Sequence, residues 1–449
     1  MARAHRSITK DPAKAFISTW NTATTYTGST ANNQIRLPLI STGTYKFTVQ
    51  WGDNTSNVIT SWNQAEVLHT YPAPGTYTVT ITGFIKGWDF SGFAATTGAL
   101  TGDRRKITSV TQFGCLRLVT YTNILTLAGA FYGCINLNLS GVTDYFNFKG
   151  TTSVFGLLRD CRLVSNIPNL NKWDVSKITI FRNMLREMVL FDQNIGNWNV
   201  SKGQDFLGFL NGNSALAPYG SFTNGGSSSI GNWDMSSATN LQQMFFVQRF
   251  FNQNIGSWNV SNVTNMSFMF NTYQGVIPIN AGQFNNGGSD SIKNWNTGNV
   301  TTMGAMFSGA GVFNQPIGGW NMSKVTNTSY MLQCASFNQP LNNWDVSKVT
   351  TMSRMLQGAI AFNQPINNWQ IPLVIDMINF MYSSDPAYLN IAFSKQNYSD
   401  FLINLASQTL QPNVSIRVNQ FYSPAAVAAR AVLTSAPNNW TVVDLGVQP

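Results

Sequence analysis

A polar Asp or Asn recurs directly after seven tryptophans, three of them carboxylates able to carry protons: Asp174, Asn199, Asp234, Asn259, Asn296, Asn321 and Asp345. A row of this kind invites a catalytic reading. Acid–base hydrolysis, however, needs two or three carboxylates in different environments, and a uniform row gives each the same one. One Asn or Asp per repeat is what turn backbone groups require, so the row reads as an internal hydrogen-bond ladder. The other reactive residues add little. Two histidines, His5 and His69, and four cysteines, Cys115, Cys134, Cys161 and Cys334, include no C-x-x-C pair, which excludes zinc-site spacing. No P-loop, G-x-S-x-G or H-E-x-x-H pattern occurs. No catalytic, cofactor-binding or metal-binding residue is nominated, and the chain is expected not to be an enzyme.

The elements that carry the row are set by the tryptophans themselves: Trp173, Trp198, Trp233, Trp258, Trp295, Trp320, Trp344 and Trp369. Their steps of 25, 35, 25, 37, 25, 24 and 25 residues define a 25-residue unit, twice expanded. Such a period is the signature of a solenoid. Counting from each Trp, Met or Phe sits at +11 (Met184, Phe209, Met244, Met269, Met306, Met331, Met355) and Phe at +18 (Phe191, Phe251, Phe313, Phe362). Each coil is predicted as a short strand, a helical turn around Met-Phe and a return loop marked Phe-Asn-Gln. Paired strands would stack the coils at roughly 4.8 Å. Cys115, Cys134 and Cys161, about one coil apart, read as small buried hydrophobes.

The flanks differ in style. Residues 15–100 are expected to be all-β, because Thr44–Trp51 and Gly75–Gly83 alternate apolar and polar residues between Gly and Pro turns. Residues 101–389 would hold the coils, with degenerate entry coils up to about 170. Residues 390–449 would cap them, with a helix over 397–405 and a second begun by Ser423 as N-cap and Pro424 at its first position. Residues 1–14 form a basic arm whose Arg3, Arg6, Lys10 and Lys14 are candidates for attachment to a partner surface.

Composition narrows the function class. The 449 residues are 43% hydrophobic and only 10% charged, with a net charge of +9. Uncharged polar richness suits an extracellular or particle-surface protein, and the moderate positive charge suits acidic glycans or an anionic surface. Nucleic-acid binding lacks its aromatic and basic interleaving. No apolar stretch long enough to span a membrane is present, and the basic N-terminus lacks the apolar core of a secretion signal. Ligand contacts are expected at the two expanded coils, where Tyr219 and Tyr273 are candidates for stacking on sugars beside Asn224, Asn285, Asn286 and Asp290. Lys177, Lys202, Lys324 and Lys348, all at +4, would form a positive strip.

The stretch Trp344-Asp345-Val346-Ser347-Lys348-Val349-Thr350-Thr351-Met352-Ser353-Arg354-Met355-Leu356, with Phe362-Asn363-Gln364-Pro365-Ile366 before Trp369, resembles the BspA-like leucine-rich-repeat surface proteins. Trp51-Gly52-Asp53-Asn54, with His69-Thr70-Tyr71 and Gly75-Thr76-Tyr77, resembles a polycystic-kidney-disease (PKD) type of immunoglobulin-like domain. His69 would then be a structural partner of Asp53 or a turn. The resemblance implies a mixed α and β chain: a PKD-like β-sandwich, a leucine-rich-repeat-like solenoid and an α+β cap. It also implies a non-enzymatic surface molecule without cofactors. The expected role is a virion-surface component (capsid cap, fibre or tail-associated), held by its N-terminal region to virion structural proteins and presenting its repeats to a host receptor or glycans. The alternative is a cellular adhesin with an atypical export route. A polysaccharide-degrading enzyme is disfavoured because no carboxylate pair can be named.

Overall fold

The computed structural model describes residues 14–90, 102–119, 129–212, 220–273, 282–382 and 390–448. The chain divides into two compact units, one ending at Ile178 and the other starting at Thr179.

In the first unit, strict alternation becomes half-buried strand. Tyr45, Phe47 and Val49 point inward from β3 (Leu39–Gln50), as do Val79 and Ile81 from β6 (Thr76–Trp88). With β1 (Phe16–Asn21), β4 (Ser56–Ile59), β7 (Ile107–Gln112) and β8 (Leu116–Arg117) they form a six-stranded sheet ordered β4-β3-β6-β1-β7, with β8 added to β6. A second sheet pairs β2 (Gln34–Arg36) with β5 (Leu68–Thr70). Since β7 pairs with β1, the first sheet includes residues beyond the boundary expected at 100.

A buried ionic clasp, unmarked in the sequence reading, fixes this extension. The Lys106 ammonium is 0% exposed and donates to the carbonyls of Thr30 (3.1 Å), Ala31 (2.7 Å) and Gln34 (2.8 Å). Asp103, 3.5 Å from it, accepts from the backbone N–H groups of Thr30 and Arg36 at 2.9 and 2.7 Å. Burial lowers the Lys106 pKa, and the Asp103 charge partly restores it.

In the second unit successive repeats meet through single-residue parallel bridges: Ile180–Asp205–Asn240–Asn265–Thr302–Asn327–Thr351–Asp376. Behind them runs a buried ring stack, Phe191, Phe222, Phe251, Phe284, Phe313, Phe337 and Phe362, with centroids 6.0–6.2 Å apart. That spacing lies in the offset-stacked range of aromatic pairs and exceeds the roughly 4.8 Å of a strand ladder. The tryptophans are there for more than bulk. Trp258, Trp320 and Trp344 each donate the indole N–H at 3.0 Å to an isoleucine carbonyl of an earlier repeat (Ile230, Ile292 and Ile317), which Phe cannot do.

The expected class, mixed α and β with a leucine-rich-repeat-like solenoid, is overturned. The described residues are predominantly β with little helix, and the repeats form bridges and turns, not a closed solenoid of strand-and-helix coils. Backbone geometry gives the reason. The residue at +10 is left-handed in every one of these repeats, Asn183 (φ 53°), Gly208 (61°), Gln243 (57°), Phe268 (60°), Ala305 (55°), Tyr330 (60°), Arg354 (55°) and Asn379 (54°). An α-helix cannot pass through such a residue. Gly208 is the sole glycine of that row, and a Cβ there would lie 2.3 Å from Asn183 Oδ1. Gly208→Ala is therefore expected to destabilise the unit by about 1–2 kcal/mol in urea unfolding.

The two α-helices of the described residues follow the repeats. A parallel three-stranded sheet, β11-β10-β9, links β9 (Met377–Met381), β10 (Ser415–Val418) and β11 (Thr441–Val443). Helix α1 (Lys395–Ala406) is capped by Ser394, whose Oγ accepts from Asn397 N–H at 3.1 Å. Helix α2 (Val427–Thr434) follows a 3-10 turn, Pro424–Ala426. Ser423 makes no side-chain cap bond, which corrects the expected capping role. A 3-10 turn closes on backbone bonds alone there, Ala426 N–H donating to Ser423 C=O at 3.0 Å.

Candidate binding surface

The Asx row after each Trp is a set of local turns. Oδ1 of Asn199, Asn259 and Asp345 accepts at 3.1 Å from the backbone N–H two residues on, in Ser201, Ser261 and Ser347. The inter-repeat ladder lies elsewhere, in the Asn directly after Phe, in Phe-Asn-Gln and in Phe284-Asn285-Asn286. Asn285, Asn314 and Asn338 accept at 3.0, 2.9 and 2.9 Å from backbone N–H of the next repeat, at Asn314, Asn338 and Asn363, and Asn363 accepts at 2.8 Å from Ser394 N–H at the cap of α1. The Gln donates back: Gln364 Nε2 reaches Asn338 Oδ1 at 3.0 Å. Asn338→Ala removes the acceptor of both groups and is expected to cost about 2–3 kcal/mol. Chemical denaturation of the full chain reads this directly.

The carboxylates of the turn row carry a pH signature. Hydrogen bonds from the Ser236 and Ser347 side chains and backbones hold Asp234 and Asp345 below the usual carboxylate range. The unfolded chain therefore takes up protons first as pH falls, so these turns lose stabilisation below about pH 4. Asp234→Asn with Asp345→Asn is expected to flatten the acid limb of thermal stability.

The expected ligand residues separate into three groups. Lys177, Lys202, Lys324 and Lys348 are exposed, and Lys324 Nζ donates to Asn299 Oδ1 at 2.8 Å. Asp290 is exposed and pairs with Lys293 at 2.5 Å, while Tyr273 is half-buried. Asn224, Asn285 and Asn286 are structural instead. Asn224 is 0% exposed: its Oδ1 accepts from Ile195 N–H at 2.9 Å and its Nδ2 donates to Ser227 C=O at 2.7 Å. Asn286 repeats that arrangement on Ile255 and Ser289, also at 2.9 and 2.7 Å. An amide locked on both sides has no group left for a ligand, which corrects the expectation for these residues. Asn285 is a rung of the ladder above. Tyr219 and the arm residues Arg3, Arg6 and Lys10 lie outside the described residues, and Lys14 is exposed.

The sequence reading missed Asp192 and Asn252, which tie down the expanded corners. Asp192 Oδ1 accepts from Thr223 and Gly225 N–H at 2.6 and 3.1 Å; Asn252 Oδ1 accepts from Asn285 and Gly287 N–H at 2.8 and 2.9 Å. Their position directly after Phe was the available signal.

In the first unit His69 meets Asp53 at 2.8 Å, lies flat on Trp51 at 4.6 Å and touches Tyr71 edge-on at 4.5 Å. All four are tied into turn and core, so the pair holds structure, as expected for His69. The four cysteines are free and buried. Burial pushes the thiols of Cys134, Cys161 and Cys334 well up, which leaves them unreactive. No His, Cys, Asp and Glu cluster able to hold a metal ion occurs among the described residues, and no helix there is long and apolar enough to cross a membrane.

A family model described as "Mycoplasma protein of unknown function, DUF285" matches residues 149–219, 216–286 and 279–392. No curated protein and no solved structure matches the chain.

Proposed function

The chain belongs to the DUF285 family, and from that premise we propose that it is a non-enzymatic, surface-displayed repeat protein that works by contact. One observation carries this reading. The repeated polar residues are spent on structure, as turns, ladder rungs and corner locks, and what each repeat leaves outside is a row of uncharged groups and lysines. Thr239, Thr264, Thr301 and Thr326 are exposed in four successive repeats, each at the position before a bridge; each hydroxyl donates at 3.1–3.2 Å to a backbone carbonyl of the preceding repeat and keeps its lone pairs as outward acceptors. A surface repeated in this manner favours extended contact over a single reactive centre. The resemblance to BspA-like surface proteins supports the same role, and the virion surface is the first carrier to test.

External protease applied to intact particles and intact cells from the source, followed by mass spectrometry, tests display. Release of peptides from residues 179–392 by particles supports the virion, and release by cells supports the adhesin. Protection on both until lysis would overturn surface display.

A further inference from the structure

Two tall corners with a short one between them leave a slot, and we propose that this slot binds a neutral glycan chain, a proposal that rests on the contact reading above. Eleven positions lead from Phe222 to Trp233 and from Phe284 to Trp295, against seven from Phe251 to Trp258. The ring stack places the tall corners one step, 6.2 and 6.1 Å, on either side of the short one. Both are braced alike: Ser229 and Ser291 each donate at 2.9 Å to Asn194 and Asn254. Two rigid ridges thus frame one low repeat.

Ser228 and Asn232 line the slot from one ridge, Asn294 from the other, and Asn254, Gly256 and Ser257 form its floor. A Cβ at Gly256 would sit 2.0 Å from Ser291 Oγ, so only glycine keeps the floor low beside that ridge. Every lining group is uncharged. The nearest charges in sequence, Asp290 and Lys293, neutralise each other outside the lining. Ser257 donates to Gly231 C=O at 2.6 Å and keeps its lone pairs as acceptors. Asn254 Oδ1 is occupied by Ser291 and by Gly256 N–H at 3.0 Å, which leaves its amide donors.

Those groups select the ligand. An extended peptide is read through pockets for alternate side chains or by pairing with a sheet edge, and the lining offers neither. An acidic chain needs cations, and the slot has none. A polyhydroxylated, uncharged chain satisfies amide donors and hydroxyl acceptors together.

The test uses the full chain on immobilised dextran, mannan and galactan, with heparin as the charged control and cells from the source as a second surface. Asn232→Ala with Asn294→Ala removes two donors on exposed ridge positions, and Ser228→Trp blocks the slot. Retention on at least one neutral polysaccharide is expected, weakened about tenfold by either change with heparin binding and melting temperature unmoved. Retention indifferent to both changes would overturn the slot, as would failure of all three neutral polysaccharides. If those fail while the chain still holds to cells, the slot falls and the contact reading stands; failure on both surfaces removes both.

Discussion

Phe251→Ala is expected to lower the stability of the second unit by about 4 kcal/mol, while Phe250→Ala changes it by no more than about 0.5 kcal/mol. The two rings are neighbours in sequence and opposites in environment. Phe251 is 0% exposed, 3.9 Å from Phe245 and stacked between Phe222 and Phe284, whereas Phe250 is 56% exposed. Truncation at 251 loses the buried area of a ring and opens a gap between two repeats that are fixed in place by their own bridges. The surrounding stack cannot close it, because Phe222 and Phe284 are each held by a corner. Paired urea titrations of the two variants check the contrast. Equal midpoints would show that the ring stack does not hold the repeats together.

Lys106→Ala is expected to cost the first unit about 3–5 kcal/mol, as the breaking of a buried ion pair does. Three backbone carbonyls lose their shared donor, and Asp103 stays buried without its counter-charge. Asp103→Asn alone removes the same charge pair from the other side. If the clasp acts as a unit, the double variant costs clearly less than the two single losses added, a coupling of about 1 kcal/mol or more in a double-mutant cycle. Additive losses would mean that the two side chains stabilise the fold separately.

Both effects show what could and could not be read from residue order alone. Period made the buried set plain: Trp at the start, Met or Phe at +11 and Phe at +18 all face inward. Alternation in Thr44–Trp51 and Gly75–Gly83 likewise gave the strands. The helical turn expected in each repeat failed because the left-handed residue at +10 is marked by glycine only at Gly208; Asn183, Gln243, Phe268, Ala305, Tyr330 and Arg354 share a conformation without sharing a side-chain type. Inter-repeat bridges and rungs over-determine that strained turn, so local propensity does not report it. The hydrogen-bond ladder was expected after Trp and is found after Phe, since an Asx residue serves its own turn or the next repeat equally well by composition. The clasp was invisible for a different reason. Asp-Arg-Arg-Lys at 103–106 reads as a solvated charge run, and only the strand order of the first sheet buries it.

At the candidate surface, sequence located the expanded repeats and misjudged which residues are free. Asn224 and Asn286 stand in turn-forming Asn-Gly pairs and look exposed, yet each replaces a backbone partner inside a corner. The exposed groups are the less conspicuous Ser228, Asn232 and Asn294.

The most direct test of a contact function is retention of the purified full chain on intact cells from its source, measured across a concentration series. Saturable retention, reduced by an excess of unlabelled chain, is the expected result. Retention that stays at the background of an unrelated protein of equal charge would contradict it.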